Sequence, residues 1–209
     1  MRAALIVVMG TVVALSGCSS PPQAPRADST APVIAPGRPG EQARTLSPSE
    51  AATAVPTATA NAADIKYVQD MIVHHRQALD MSLLAPSRAD SAKLKSLAGR
   101  IKDAQGPEIQ FMTTWLQEQQ QTVPDHHAAH AGMPGMATPE QMEALKAATG
   151  KDFDRMFLQL MINHHLGAIK MSEQVLTSGS HIRVEELATD VSVTQAAEIR
   201  RMQEMQSAL

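Results

Sequence analysis

Apolar residues recur at intervals of three and four along most of the chain after residue 60, the period of a helix with one buried face. No segment shows the sustained alternation typical of a β-strand. The first long helix is predicted to begin at Asn61, which can cap it, and to end near Ala85, because Pro86 cannot continue it. The second is predicted to open at Ser87 and to end near Gln121. The two helices form a predicted hairpin.

The rest of the chain contains a second predicted hairpin, preceded by a short helix. Thr138 followed by Pro139 is a strong start for the short helix, with Thr138 as the capping residue. The third long helix is predicted to open at Asp152 and to end at Gly179. Ser180 is the predicted cap of the fourth, which runs to the C-terminus.

The two hairpins are copies of each other. Residues 67–81 and 157–171 share Met-Ile-x-His-His-x-x-Ala-x-x-Met, and matched positions lie ninety residues apart. The match continues through Gln-x-x-Glu-Ile-x-x-Met, which begins at Gln105 and again at Gln195. Neither hairpin can bury its apolar face alone, so the duplication predicts one all-α four-helix bundle. Its predicted parts are repeat one at 61–121, a linking loop at 122–137 and repeat two at 138–209.

Methionine and histidine share one face of the first long helix in each repeat, because residues three, four and seven apart are neighbours on a helix surface. Adjacent residues lie about 100° apart around the axis, so the two histidines of a pair point in different directions. The apolar positions are in phase with the second histidine. We therefore predict that His75 and His165 lie nearer the core, and that His74 and His164 lie on the shoulder with the methionines.

The methionine and histidine stripes have two interpretations. Methionine fills irregular cores, and histidine can be a hydrogen-bonded core residue. Two buried imidazole pairs are costly unless each is satisfied, however, and histidine with thioether sulfur is a ligand set that suits soft Cu(I) and also Ag(I). The duplication favours metal binding. The candidate ligands in the repeats are Met71, His74, His75, Met81, Met112, Met161, His164, His165, Met171 and Met202.

The loop between the repeats is a second candidate metal site. It is rich in histidine and methionine, is interrupted by glycine and proline, and has no apolar periodicity. Short histidine-rich tracts are typical of metal binding, and the alternative is a polar linker. We predict a separate and weaker site, because a loop loses conformational entropy when it binds. Its candidate ligands are His126, His127, His130, Met133 and Met136.

The N-terminus has the pattern of a bacterial lipoprotein. Residues 1–17 form a predicted signal peptide whose apolar run is too short to span a membrane. Leu-Ser-Gly-Cys resembles a lipobox, which predicts cleavage before Cys18 and lipid attachment there. Residues 18–60 are rich in proline, alanine, serine and threonine, and predict a disordered tether. The predicted location is the cell envelope, on the outer side of the cytoplasmic membrane or in the periplasm.

Charge and composition exclude several classes of function. The formal net charge is −3, so the chain has no basic footprint for nucleic acid. Cys18 is the only cysteine, which leaves the mature chain without an internal disulfide or a thiolate metal site. No serine, cysteine or paired-carboxylate constellation indicates hydrolysis. Di-iron bundles use Glu-x-x-His, whereas Met71 and Met161 stand three residues before His74 and His164, which argues against a ferroxidase.

The duplicated motif, with the downstream Gln-x-x-Glu-Ile-x-x-Met, resembles the bacterial family called domain of unknown function 305 over about residues 62–207. The resemblance implies a ferritin-like four-helix fold and copper binding in the cell envelope. It places copper at the Met and His positions of both motifs. One departure lies near the end of the second copy, where Met205 replaces Trp115, and another is Gly106–Pro107, which repeat two lacks.

These observations favour a lipid-anchored protein that binds copper, as Cu(I), for sequestration, tolerance or transfer, and that is not an enzyme. Two alternatives remain open. One is a metal-dependent oxidase in a ferritin-like bundle, and the other is an envelope interaction module whose stripes are structural. The candidate partners besides the metal ion and the membrane are a copper donor or acceptor protein and a second copy of the chain.

Overall fold

The computed structural model describes residues 33–35, 42–54, 59–125 and 132–209, which divide into two units. In the first unit, β1 (Val33–Ala35) pairs antiparallel with β2 (Arg44–Leu46), and α1 (Pro48–Ala54) follows. The Ser47 N–H donates to Glu50 Oε2 at 2.8 Å and so helps to open this helix. These described residues form a local hairpin and a short helix within the stretch predicted as a tether, and the tether itself stays a prediction.

The second unit is a bundle of four long helices and one short helix. Its elements in chain order are α2 (Ala62–Arg88), α3 (Ala92–Glu118), α4 (Pro139–Ala147), α5 (Gly150–Ser178) and α6 (Ile182–Ser207). Helix α2 packs against α3, α5 packs against α6, and the two hairpins meet through α2 and α5. The predicted all-α bundle of two repeated hairpins is confirmed. Within the described residues, no helix combines the length and apolarity that crossing a bilayer requires.

The first long helix does not stop at its proline as predicted. Pro86 lies inside the last turn of α2, which continues to Arg88. Proline removes a single N–H from the helix, and a position so close to the end loses only that one bond. The N–H of Ala89, the residue after the helix, donates to Ala85 O at 3.0 Å and closes the last turn.

Two predicted helix caps are wrong by a few residues. Ser91, rather than Ser87, caps α3, and its Oγ accepts from the Leu94 N–H at 3.3 Å. His181, rather than Ser180, caps α6 through Nδ1. The α6 cap differs from the prediction because a tertiary contact with the other repeat holds the connection between α5 and α6. Helix α5 also begins at Gly150, two residues before the predicted start.

That contact is one of a pair formed by two buried aspartates at the starts of α2 and α5. Asp154 accepts the backbone N–H groups of Asp90 at 3.1 Å and Ser91 at 2.8 Å, in the connection of repeat one. Asp64 accepts the N–H of Ser180 at 3.1 Å, in the connection of repeat two. The aspartates and connections are equivalent by the ninety-residue repeat. Each repeat therefore caps the other, as expected for an approximate two-fold axis.

The core divides into two buried clusters along the bundle. We call them the α4 cluster, which contains Leu145 of α4, and the tryptophan cluster, which contains Trp115. The fully or almost fully buried methionines divide equally between them. The α4 cluster holds Met81, Met161 and Met202, and the tryptophan cluster holds Met71, Met112 and Met171. Each cluster combines residues of both repeats, so the repeats share one core.

One pair of equivalent positions breaks the symmetry of this core. Tyr67 and Ser172 share a buried hydrogen bond of 2.9 Å between their hydroxyls, and burial raises the pKa of the Tyr67 phenol. The equivalent residues are Phe157 and Ser82, and the buried Ser82 Oγ has no partner among the described residues. Phe157 has no hydroxyl to offer it. Repeat two therefore lacks a hydrogen bond that repeat one makes.

We expect Phe157→Tyr to raise the free energy of unfolding by about 1 kcal/mol, because it supplies a partner for Ser82. Tyr67→Phe should lower it by about 1 kcal/mol, because it leaves Ser172 unsatisfied. Urea unfolding of both variants measures the two effects. A Phe157→Tyr variant less stable than wild type would show that the core has no room for the hydroxyl.

Candidate metal centre

The four motif histidines are fully buried at the middle of α2 and α5. The rings of His74 and His164 contact each other across the two helices, with centroids 3.8 Å apart and planes inclined by 38°. The prediction that these two lie on the shoulder, outside His75 and His165, is wrong. Because α2 packs on both its own hairpin partner and α5, the face between the repeats is as buried as the face toward the hairpin.

The second histidine of each pair contacts a carboxylate of its own hairpin. His75 Nε2 lies 2.7 Å from Glu108 Oε2, and His165 Nε2 lies 2.7 Å from Glu198 Oε2. Sequence reasoning did not pair these residues. Both pairs are separated by 33 residues, but the ninety-residue repeat gives an equal separation to any two matched positions and so does not single them out. The structure thus divides the adjacent histidines between a contact across the repeats and a contact within each hairpin.

The hydrogen-bond acceptors determine the neutral tautomer of three of the histidine rings. A carboxylate or carbonyl oxygen only accepts, so neutral His75 and His165 carry their proton on Nε2 and a lone pair on Nδ1. His74 Nε2 lies 3.0 Å from the carbonyl oxygen of Pro134, which assigns the same tautomer. For His164, neither ring nitrogen has a hydrogen-bond partner among the described residues. Such orphaned, buried nitrogens are suited to accept a metal ion.

The His164 imidazole is held in its neutral, ligating form. Burial lowers the pKa of His164 well below the ordinary value of 6.5, and charge on His74, His165 and His75 lowers the pKa further. Metal coordination requires a neutral imidazole. The ring therefore stays competent for binding at pH values where an exposed histidine is protonated.

The lowered pKa predicts an acid sensitivity of the metal-free protein. Below about pH 6.5 the unfolded chain protonates His164 while the folded chain does not, so the unfolded state binds more protons. The free energy of unfolding therefore decreases as the pH is lowered. His164→Leu has no imidazole to protonate at this position, so we expect its free energy of unfolding to depend less on pH. Relative to wild type, the variant should gain up to about 1.4 kcal/mol for each pH unit below 6.5. Urea unfolding between pH 7.5 and 5 measures it. A pH-independent difference would contradict the assignment.

Thioethers flank the histidine contact on both sides. Met71 lies one helical turn before His74, and Met161 lies one turn before His164, so each Met-x-x-His pair shares a face. Both methionines are fully buried. Because the repeats oppose each other, Met71 belongs to the tryptophan cluster with Met171, whereas Met161 belongs to the α4 cluster with Met81. The structure therefore brings together two Met-x-x-His pairs from the two repeats.

The end of the linking loop is fixed against this centre. Gly167 allows the approach, because a Cβ there would lie 2.0 Å from the Pro134 carbonyl oxygen that contacts His74. Gln77 holds the next part, donating to Ala137 O at 2.9 Å and accepting from Ala137 N–H at 2.7 Å. The end of the loop and the bundle are thus joined, and the separate, weaker metal site in the loop stays a prediction.

The loop ligands divide between described and other residues. Met133 and Met136 are half-buried and line a surface cavity of about 420 Å³ beside the bundle. The predicted ligands His126, His127 and His130, like Cys18, lie outside the described residues. The described part of the predicted loop site is therefore its methionine end, which includes Pro134, the residue whose carbonyl oxygen contacts His74.

The donor set is soft rather than hard. Within the described residues, no group of three or more His, Cys, Asp or Glu side chains is arranged to hold a metal ion. The His74–His164 contact offers imidazole nitrogen, and a thioether lies one helical turn before each histidine on its own helix. Imidazole with thioether is a donor set that suits Cu(I), whereas iron and magnesium sites depend on carboxylates. The residues present fit a soft monovalent ion.

Fold and centre together define a duplicated four-helix bundle with a buried histidine and methionine layer. The family model described as Domain of unknown function (DUF305) matches residues 64–206. The chain belongs to this family. No curated protein matches it.

Solved structures of similar proteins cover the same domain. A predicted secreted protein of the family from Streptomyces coelicolor is 31% identical, with TM-score 0.65 and coverage of 70% of this chain and 93% of its own. A family fragment from Deinococcus radiodurans is 33% identical, with TM-score 0.66 and coverage of 72% and 99%. The Cu(I)-bound form of CopM is 32% identical, with TM-score 0.60 and coverage of 69% and 96%. CopM has also been solved in Cu(II)-bound and Ag-bound forms.

Proposed function

We propose that this protein binds Cu(I), and also Ag(I), between its two repeats. The ligands are drawn from His74, His164 and the thioethers of Met71 and Met161. The observation that carries the proposal is the contact of the His74 and His164 rings, 3.8 Å between centroids, which brings two Met-x-x-His pairs together in a buried place. Met81, Met171, Met112 and Met202 extend the thioether supply into the two clusters.

The chemistry of the donors supports this choice of metal. Cu(I) and Ag(I) are soft ions that accept thioether and imidazole ligands, and neither ligand has to lose a proton when it is already neutral. Thioethers do not form disulfides, which suits a site in an oxidising compartment. The lone-pair nitrogen of His164 gains a partner on binding, which offsets part of the cost of burying the ring. CopM, a similar protein, binds Cu(I), Cu(II) and Ag.

The role we assign is binding for sequestration, tolerance or transfer rather than turnover. The two carboxylates closest to the histidines lie in separate hairpins, and each contacts its own histidine at 2.7 Å. They therefore do not form the paired carboxylate site of a di-iron oxidase. Met133 and Met136, beside the centre, offer thioethers at the surface through which a donor or acceptor protein can exchange the ion.

Anaerobic titration of the full chain with Cu(I) and a competing chelator tests the proposal. We expect Met71→Leu with Met161→Leu to weaken the tightest site at least tenfold, because leucine keeps the volume and removes sulfur. The matched control is Met156→Leu, a partly buried methionine of α5 next to the α4 cluster. An unchanged affinity in the double variant would mean that the motif methionines serve packing alone.

The cellular location belongs to the same proposal. Copper handling outside the cytoplasm fits a chain with a signal peptide and a lipobox at Cys18, and the similar protein from Streptomyces coelicolor is a predicted secreted protein. Several acyl chains on one residue make anchoring stable, whereas one chain is marginal. We expect Cys18→Ala to leave the protein unprocessed or released from membranes, as measured by mass and by membrane fractionation. Unchanged mass and partition would exclude the anchor.

A further inference from the structure

Two buried glutamines at equivalent positions are not explained by the Cu(I) site. Gln105 of α3 is 3% exposed and Gln195 of α6 is 2% exposed. In both, the amide nitrogen and the amide oxygen have no hydrogen-bond partner among the described residues. A buried amide without partners is destabilising, and its occurrence at both equivalent positions indicates a shared purpose.

Each glutamine lies next to the histidine–carboxylate contact of its hairpin. Gln105 is one turn before Glu108 on the same face of α3. Because the two helices of a hairpin run in opposite directions with equal rise, a residue three before Glu108 lies level with one three after His75. That residue is Ala78, which is fully buried and leaves space for the longer side chain. This space explains why the repeated motif has alanine at this position.

The second hairpin repeats the arrangement. Gln195 is one turn before Glu198, whose carboxylate lies 2.7 Å from His165 Nε2, and the residue level with it is Ala168. Each hairpin therefore holds one imidazole nitrogen in contact with one carboxylate, and one buried amide one helical turn away on the same face as the carboxylate. These are nitrogen and oxygen donors, a different class from the thioethers between the repeats.

We propose that each hairpin contains a site for a divalent cation of the zinc class, held by His75, Glu108 and Gln105 in repeat one. The equivalent ligands in repeat two are His165, Glu198 and Gln195. Zinc ligands of this kind lie about 2.0–2.2 Å from the ion, so two of them stand roughly 3.4 Å apart in a tetrahedral shell. His75 Nε2 and Glu108 Oε2 share a hydrogen bond of 2.7 Å, so the two groups move apart when an ion replaces the proton between them. On binding, the imidazole proton moves from Nε2 to Nδ1, and water completes the shell.

The two sites differ in access. The Glu108 side chain is 25% exposed, whereas the Glu198 side chain is 7% exposed. An ion reaches a partly exposed carboxylate without opening of the hairpin, so the site in repeat one exchanges its ion faster. His165 lies beside His164 of the proposed Cu(I) centre, with ring centroids 6.3 Å apart, whereas neither Gln105 nor Gln195 is among the proposed Cu(I) ligands.

Zn(II) titration of the full chain, with His126, His127 and His130 replaced by alanine, tests the proposal. We expect two Zn(II) ions per chain, and we expect Gln105→Leu with Gln195→Leu to weaken both at least tenfold. The same variant should leave Cu(I) affinity unchanged and should make the metal-free protein more resistant to urea. The matched control is Gln77→Leu, a buried glutamine whose amide is fully hydrogen-bonded, which should lower stability and leave Zn(II) affinity unchanged.

A second variant separates a ligand from a structural side chain. Gln105→Glu with Gln195→Glu keeps an oxygen donor and adds charge, so we expect tighter Zn(II) binding by at least tenfold. Failure of Zn(II) to bind the loop-depleted chain would overturn the proposal. Equal Zn(II) affinity in the leucine, glutamate and unsubstituted chains would overturn it too. If the loop-depleted chain bound Zn(II) but not Cu(I), the result would instead count against the proposed function.

Discussion

Cu(I) at a thousandfold excess over its dissociation constant is expected to raise the free energy of unfolding of the wild-type chain by about 4 kcal/mol. In His164→Leu most of this gain should disappear, because leucine has no nitrogen for the ion. The same substitution should stabilise the metal-free protein near pH 7, because it removes two buried nitrogens that lack partners. Thermal and urea unfolding under anaerobic conditions, with and without Cu(I), measure both effects.

The opposite signs of these two effects separate a ligand from a packing residue. A packing residue replaced by one of different shape loses stability with and without metal to the same extent. His181→Asn is the control, because His181 is a buried histidine outside the centre and asparagine also caps a helix. It should retain the full Cu(I) gain. An equal gain in His164→Leu and wild type would mean that the histidine layer is structural.

The second large effect is expected at the aspartates that join the repeats. Asp154→Ala should lower the free energy of unfolding by about 3 kcal/mol or more, because two backbone N–H groups each lose a bond to a charged acceptor worth roughly 1.5–3 kcal/mol. Asp64→Ala should cost a similar amount, since that carboxylate accepts from Asn61 N–H at 2.9 Å and from Ser180. Urea unfolding at pH 7 measures both.

Asp152→Ala is the matched control for Asp154→Ala. It removes an aspartate two residues earlier on the same helix, with a side chain 79% exposed and an ion pair to Arg155. Exposed pairs contribute about 0–1 kcal/mol, so this variant should remain near wild type. If Asp154→Ala were no more harmful than Asp152→Ala, the connections would be held by packing and not by the aspartates.

The sequence by itself determined the helical class, the duplication, the assembly of two hairpins and the set of residues with metal chemistry. These features are local or periodic. Helical spacing is visible in any window of a dozen residues, and the repeat is visible as a constant offset. The cap of α4 by Thr138 was predicted for the same reason, since its side chain accepts from the N–H of Gln141, three residues later.

Only the tertiary structure decided which histidine faces the other repeat. Adjacent residues differ by about 100° around a helix, and a helix buried on two sides gives no single apolar direction by which to choose. The pairing of His74 with His164 depends on how α2 and α5 rotate against each other. Contacts of this kind join residues ninety positions apart, and no local pattern encodes them.

The same reason explains the remaining differences. Serine is a favoured N-cap residue, yet the Ser180 N–H donates to Asp64 of the other repeat and His181 caps α6 instead. Glu108 belongs to the repeated Gln-x-x-Glu-Ile-x-x-Met pattern, but its role as the partner of His75 depends on the register of the hairpin. Composition and spacing specify what each helix offers, and packing between helices decides which of those groups meet.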